Sequence, residues 1–200
     1  MKKMLLLVVA AMMATMSVNA QNGYDTKHEI GVNYGFMSNT QWLDATMMAL
    51  HIVEGLDPVK GSVIGPVSAE YFYHVNDWLG VGGIFTYAYT KATYDQTVDH
   101  TAEVYTSKSA YYTVLPAVKF NWLRRDHFGM YSKIGAGVMV GNLKAVPADP
   151  TEKPESETEW GFNWQVSVLG IEFGGAQLRG FIEGGIGAQG VALAGIRYKF

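Results

Sequence analysis

Five charged residues, Glu70, Lys119, Lys133, Glu183 and Arg197, stand in segments where polar and apolar residues alternate. In a strand, residues two apart share a face, so each charge lies on a polar face opposite an apolar one. Confined together, two acids and three bases would form hydrogen-bonded ion pairs, because an isolated buried charge is costly. Such a set can fill a core, gate a narrow ion path by exchanging partners, or relay a proton. Measured from the nearest short turn, Glu70, Lys133 and Glu183 sit at similar depth, five or six residues up.

Signals for other chemistry are weak. His28, His51, His74, His100 and His127 are scattered, with Ser62 or Asp99 as conceivable neighbours of His51 and His100. Neither G-x-S-x-G nor H-E-x-x-H occurs. The glycine runs Gly80-Val-Gly-Gly83 and Gly184-Gly-Ile-Gly187 lie inside alternating segments, where glycine serves close packing or bending rather than phosphate binding. No catalytic residue, no metal ligand set and no cofactor is expected, and the chain does not read as an enzyme.

The elements that would position these charges are eight alternating segments. They run at about 28–37, 62–75, 78–93, 103–122, 128–142, 159–172, 178–187 and 190–200. In the first, Ile30, Val32, Tyr34 and Phe36 oppose Glu29, Gly31, Asn33 and Gly35. In the last, Ala192, Ala194, Ile196, Tyr198 and Phe200 oppose Gly195, Arg197 and Lys199. Connections after the second, fourth and sixth segments are short. Those after the first, third and fifth are long or polar. Aromatic residues collect in two bands. Tyr71, Tyr73, Trp78, Phe120, Trp122, Phe128, Tyr198 and Phe200 lie near the short-turn end; Tyr34, Phe36, Tyr87, Tyr89, Trp160, Phe162 and Trp164 lie near the long-loop end.

An even strand count, short turns at one end, longer loops at the other and two aromatic girdles form the pattern of a transmembrane barrel of the bacterial outer membrane. The fold class is therefore all-β, an eight-stranded antiparallel transmembrane β-barrel with its polar face inward. An eight-stranded barrel is just wide enough inside for side chains to fill. Pro116, mid-segment on the outward face, cannot donate to a ladder, and a bulge, or else a break in the strand, is expected there.

The N-terminus agrees with that location. Lys2 and Lys3 precede an apolar stretch from Met4 to Ala14, too short to span a bilayer. Val18-Asn19-Ala20 offers a cleavage site. Residues 1–20 read as a cleaved signal peptide and 21–200 as the barrel domain. Without cysteine there is neither a lipid anchor on Cys nor a disulfide framework. Removing Lys2 and Lys3 takes the formal charge from -3 to -5, which argues against a nucleic-acid partner.

Leu169-Gly-Ile-Glu-Phe-Gly-Gly175, Phe181-Ile-Glu-Gly-Gly-Ile-Gly187 and Gly195-Ile-Arg-Tyr-Lys-Phe200 together resemble the C-terminal part of small outer-membrane β-barrel domain proteins of Gram-negative bacteria, similar in plan to OmpX and the OmpA barrel. The resemblance implies an eight-stranded barrel in the outer membrane, in contact with its lipid and lipopolysaccharide. It also implies that the aromatic C-terminus, Tyr198 and Phe200, is read by the barrel assembly machinery. It implies no single activity, since members are structural, adhesive or of unknown role.

Two outer segments stand out. In the first loop, Asn39 or Thr40 can cap a helix on which Trp42, Ala45, Ala49, Ile52, Val53 and Leu56 cluster on one side. That helix would fold over the barrel mouth, lie on the outer leaflet or grip a partner. In the third, Asp149, Glu152, Glu155, Glu157 and Glu159 with Pro147, Pro150 and Pro154 read as a solvated loop. Five carboxylates could bridge lipopolysaccharide through divalent cations, although their spacing matches no calcium loop. The main functional expectation is a structural or surface-interaction protein acting through its outer loops. The alternative is a narrow channel for small solutes gated by the lumen charges. A soluble lipocalin-like binder would expose the apolar faces to water.

Overall fold

The structure is a computed structural model. It describes residues 26–53, 57–98, 101–125, 127–147 and 153–200, without the side chains of 51–53, 57–60, 95–98 and 101–105. The signal-peptide reading of residues 1–20 lies outside the described residues, as do Leu56, Asp99, His100, Asp149 and Glu152.

Eight strands follow one another in antiparallel pairs and close as β1 meets β8. They are β1 (His28–Phe36), β2 (Asp57–His74), β3 (Leu79–Val98), β4 (Thr101–Arg124), β5 (Phe128–Pro147), β6 (Glu155–Gly174), β7 (Leu178–Gly187) and β8 (Ala192–Lys199). One helix, α1 (Asn39–Val53), joins β1 to β2. Around the closed part of the barrel every strand is paired on both sides, as a chain in lipid requires.

The alternation predicted from sequence decides which face is which. Val32, Val114, Ile134, Val138, Ile182 and Ile196 are exposed on the outside, while Glu29, Asn33, Glu70, Thr113, Lys119 and Lys133 are buried inside. The girdle residues Trp78, Trp122, Trp160 and Phe162 are among the most exposed. An apolar outside around a charged interior inverts a soluble protein and suits lipid as the solvent.

Strand lengths split the barrel into two parts. β1, β7 and β8 have 9, 10 and 8 residues, close to the roughly 9–11 that a tilted strand needs to cross a bilayer. β2 to β6 have 18, 20, 24, 20 and 20. These five strands therefore project beyond the membrane on the long-loop side as a continuous wall. The second and third connections are correspondingly shorter than expected: Val98 pairs with Thr101, and Ala145 pairs with Glu155. Glu155, Glu157 and Glu159 thus belong to β6 rather than to a loop.

Two local expectations are corrected. There is no bulge at Pro116. β4 pairs with β3 straight through it, and β4–β5 pairing lapses at Leu115 and Pro116 and resumes at Ala117 in the same register. A gap in one ladder accommodates the missing N–H without an extra residue. A bulge lies instead in β6, where Val168 is inserted between Ser167 and Leu169 against both neighbouring strands. The helix cap is Ser38, one residue before Asn39. The Gln41 N–H donates to Ser38 Oγ (3.3 Å) and the Ser38 N–H donates to Gln41 Oε1 (2.9 Å), a reciprocal capping box.

The β7–β8 turn needs two glycines. Gly187 and Gly190 have φ of 133° and 106°, in the region that only glycine enters freely. The turn they make folds Ala188 and Gln189 into the barrel, where both are buried.

Candidate functional site

The lumen holds one connected charge network. Near its centre, Lys133 Nζ lies 2.6 Å from Glu70 Oε1 and 2.8 Å from Glu183 Oε2. Asn33 and Gln189 also donate to Glu70 Oε1, at 2.9 and 2.7 Å. The Tyr131 hydroxyl donates to Glu183 and accepts from Arg197 at 2.8 Å. Toward the short turns, Lys119 Nζ lies 2.7 Å from Glu29 Oε1. Arg197 is 2.8 Å and Arg179 2.6 Å from Glu172, and Lys199 also bonds Glu172. His74 Nε2 lies 3.2 Å from Glu29.

Arg197 joins the two levels. It faces Glu29 at 3.3 Å and Glu172 at 2.8 Å below, and Glu70 at 3.7 Å and Glu183 at 3.5 Å above. Its guanidinium lies 4.5 Å from the Tyr131 ring centroid and 4.0 Å from that of Phe181. Planarity lets one arginine pair in its plane and stack on its faces, which lysine could not do. The network sets four carboxylates, Glu29, Glu70, Glu172 and Glu183, against five cations, Lys119, Lys133, Arg179, Arg197 and Lys199. Near-neutrality and mutual hydrogen bonding meet the condition for burying this many charges.

The structure therefore brings Glu70, Lys119, Lys133, Glu183 and Arg197 into one cluster. Sequence reasoning left out Glu29, Lys199 and Arg179, although each lies on a polar face that alternation defines. It could not place Glu172: continued from Trp160, Phe162 and Trp164, alternation points residue 172 outward, and the extra residue Val168 reverses the phase. Gln189 is a turn residue that no periodicity marks.

Above the network α1 docks at the mouth. It is held by its polar flank rather than by its apolar side. Asn39 Nδ2 donates to Asn163 Oδ1 (2.5 Å), and the Tyr111 hydroxyl donates to Asp44 Oδ1 (2.7 Å). Met48 packs on Ala92 and Tyr94. The lumen-facing residues at the mouth are largely polar, so they match Asn39, Asp44 and Gln41. Trp42, Ala45 and Ala49 of the predicted cluster point away and are exposed, as are Leu43, Met47 and Leu50. The side chains of Ile52 and Val53 are outside the described residues. Burial raises the Asp44 carboxyl above its ordinary range, partly offset by hydrogen bonds from Tyr111 and Thr90.

Residues 6–176 match the model of the outer membrane protein beta-barrel domain. The chain belongs to that family. Solved structures similar to it include the following two. One is Ail, the attachment invasion locus protein of Yersinia pestis, in complex with the heparin analogue sucrose octasulfate, at 15% identity over 87% of this chain and 99% of that one, TM-score 0.44. The other is the N-terminal β-barrel domain of Pseudomonas aeruginosa OprF, at 11% identity over 86% and 96%, TM-score 0.40. No curated protein matches the sequence.

The histidines of this outer-membrane barrel are dispersed. His28 bonds the Tyr71 hydroxyl (2.8 Å) and stacks on Phe200, while His127 donates to the Gly174 carbonyl (3.0 Å). Tyr198 and Phe200 stack on each other with ring centroids 6.0 Å apart. Among the described residues no group of three His, Asp or Glu could hold a metal ion.

Proposed function

We propose that this protein is a closed, surface-facing barrel whose interactions are made by its outer elements, with α1 foremost. One observation carries the reading. The Arg197–Lys133 network occupies the lumen, Gln189 is buried above it on Glu70, and α1 docks at the mouth on Asn163 and Tyr111. The same helix presents Trp42, Leu43, Met47 and Leu50 to the outside, with the first and last 53% and 52% exposed. Polar contacts and Met48 hold the helix while Trp42, Leu43, Met47 and Leu50 stay free, an arrangement that serves contact with something beyond the barrel.

In this reading residues 1–20 are a cleaved signal peptide, and the strand ending in Tyr198 and Phe200 is the segment engaged by the barrel assembly machinery. The outward belt contacts outer-membrane lipid and lipopolysaccharide. The protein is not an enzyme, and its inward charges hold the barrel together rather than perform chemistry. The narrow-channel alternative requires Arg197 and Lys133 to leave their carboxylates together and Gln189 to swing out.

Planar-bilayer recording of the folded protein tests the reading. The expected record has no steady conductance steps, and sustained unitary steps from wild-type protein would sink it in favour of the channel. Cells displaying the Trp42→Ser/Leu43→Ser/Leu50→Ser variant should also attach less to a hydrocarbon surface than cells displaying equal amounts of wild type.

A further inference from the structure

The outer face of the projecting wall carries three adjacent lysines that lie far apart in sequence. Lys91 on β3 is directly opposite Lys108 on β4, and Lys108 is directly opposite Lys144 on β5. Ser62 and Ser156 extend the row onto β2 and β6. Residues so paired have Cβ atoms about 4.5–5.5 Å apart, and like charges at that spacing repel. Among the described residues none of the three lysines makes an ion pair.

The pleat keeps the nearest acids away. Glu155, Glu157 and Glu159 pair with Ala145, Leu143 and Gly141, which alternate with Lys144 and so lie on the inner face. Along β5 and β6 the wall is thus acidic toward the mouth and basic toward the outside. A row of cations held together on one face, with the β6 carboxylates turned to the other and the nearest acidic positions of its own face, Asp57 and Asp95, four residues further up the wall, is built for an anion from elsewhere.

Depth identifies the anion's carrier. Tyr87, Tyr112, Val140 and Trp160 form a second row on the same face, each four residues below Lys91, Lys108, Lys144 and Ser156 respectively. Tyr87 and Tyr112 pack with centroids 5.2 Å apart, and Trp160 is 75% exposed, as expected of the outer girdle. Four residues of a strand tilted by roughly 40° rise about 10 Å. Lysines at that height, able to bend their ammonium groups toward the interface, meet the headgroups of the lipid that borders this face.

We propose that Lys91, Lys108 and Lys144 seat the phosphates of an outer-leaflet glycolipid. The assignment deepens the lipid contact given above and rests on the outer-membrane reading, but on neither α1 nor the closed lumen.

The test uses the whole folded protein in nanodiscs of phosphatidylcholine, titrated with phosphorylated lipid A, with dephosphorylated lipid A, or with free pyrophosphate. The readout is the temperature at which the heat-modifiable gel shift is lost. Wild type should gain stability from phosphorylated lipid A alone, and the gain should shrink as salt rises. The Lys91→Gln/Lys108→Gln/Lys144→Gln variant should insert normally and be at least as stable without lipid A, because repulsion is relieved. Its apparent affinity for phosphorylated lipid A should fall about ten-fold. An unchanged affinity in the variant, or an equal response to dephosphorylated lipid A, would overturn the proposal. An equal gain from pyrophosphate would also overturn it, in favour of a soluble-anion site. Wild type that neither inserts nor shifts on the gel would instead remove the outer-membrane reading on which it rests.

Discussion

Glu172 and Arg197 lie 2.8 Å apart inside the barrel, and one inserted residue accounts for their meeting. Val168 occupies a bulge that turns the following part of β6 by half a period, bringing Glu172 inward. There it also takes Arg179 and Lys199. Arg197 in turn faces all four buried carboxylates.

Arg197→Met should therefore be among the most damaging single changes in the chain. It keeps the apolar bulk over Phe181 but leaves Glu172 and Glu183 each with one cation fewer. Removing one partner of a buried ion pair costs about 3–5 kcal/mol. Urea unfolding in detergent micelles, followed by the gel shift, should read a loss of that order.

The network's upper level allows a sharper comparison. Lys133→Met strands Glu70 and Glu183 and should lower stability by about 3 kcal/mol or more. Adding Glu70→Gln and Glu183→Gln removes the stranded charges, and the triple variant should regain most of the loss. Non-additivity of that sign marks residues coupled through one network. If the triple variant is no more stable than the single one, the lysine's contribution is packing rather than charge. Bilayer recordings of the triple variant should remain silent, because Arg197, Gln189 and α1 still occupy the path.

Most of the architecture was legible because a barrel in lipid writes a period of two into every strand. Ile30 to Phe36 and Ala192 to Phe200 each reveal their faces without any knowledge of partners. Two kinds of information were not local. One was register: Val168 breaks the period without a sequence mark, so Glu172 was lost, and the Lys91–Lys108–Lys144 row exists only once three strands are aligned. The other was environment. The wheel correctly groups Trp42, Ala45 and Ala49, but it cannot say that the mouth is polar and that α1 docks through Asn39 and Asp44.

Pro116 offers a test of the corrected ladder. β4–β5 pairing is interrupted at Leu115 and Pro116 with no change of register, so a residue with an N–H fits without moving either strand. Pro116→Val keeps an apolar, lipid-facing side chain and supplies the missing donor. A recovered hydrogen bond contributes about 1 kcal/mol, so the urea midpoint should rise. Had a bulge existed at this position, the same change would be neutral or harmful.

The docking of α1 should depend on pH through Asp44. Burial raises its carboxyl above the ordinary 3.8, against the bonds from Tyr111 and Thr90. The docked state thus binds a proton more readily than the undocked state. Docking is then strongest where Asp44 is protonated, and it weakens as pH rises through the docked-state value. Below 3.8 both states carry the proton and the gain levels off. Hydrogen exchange of the α1 amides, corrected for intrinsic rates, should show protection rising as pH falls toward that point from neutrality. Asp44→Asn keeps an oxygen to accept from the Tyr111 hydroxyl but cannot ionise, so its helix should be protected at neutral pH with little further change on acidification. Asp44→Leu loses the acceptor that ties α1 to the Tyr111 hydroxyl, so its helix should be less protected than the Asn variant at every pH. If wild type and Asp44→Asn respond to pH alike, the titrating group lies elsewhere and the Asp44–Tyr111 contact is only a tether.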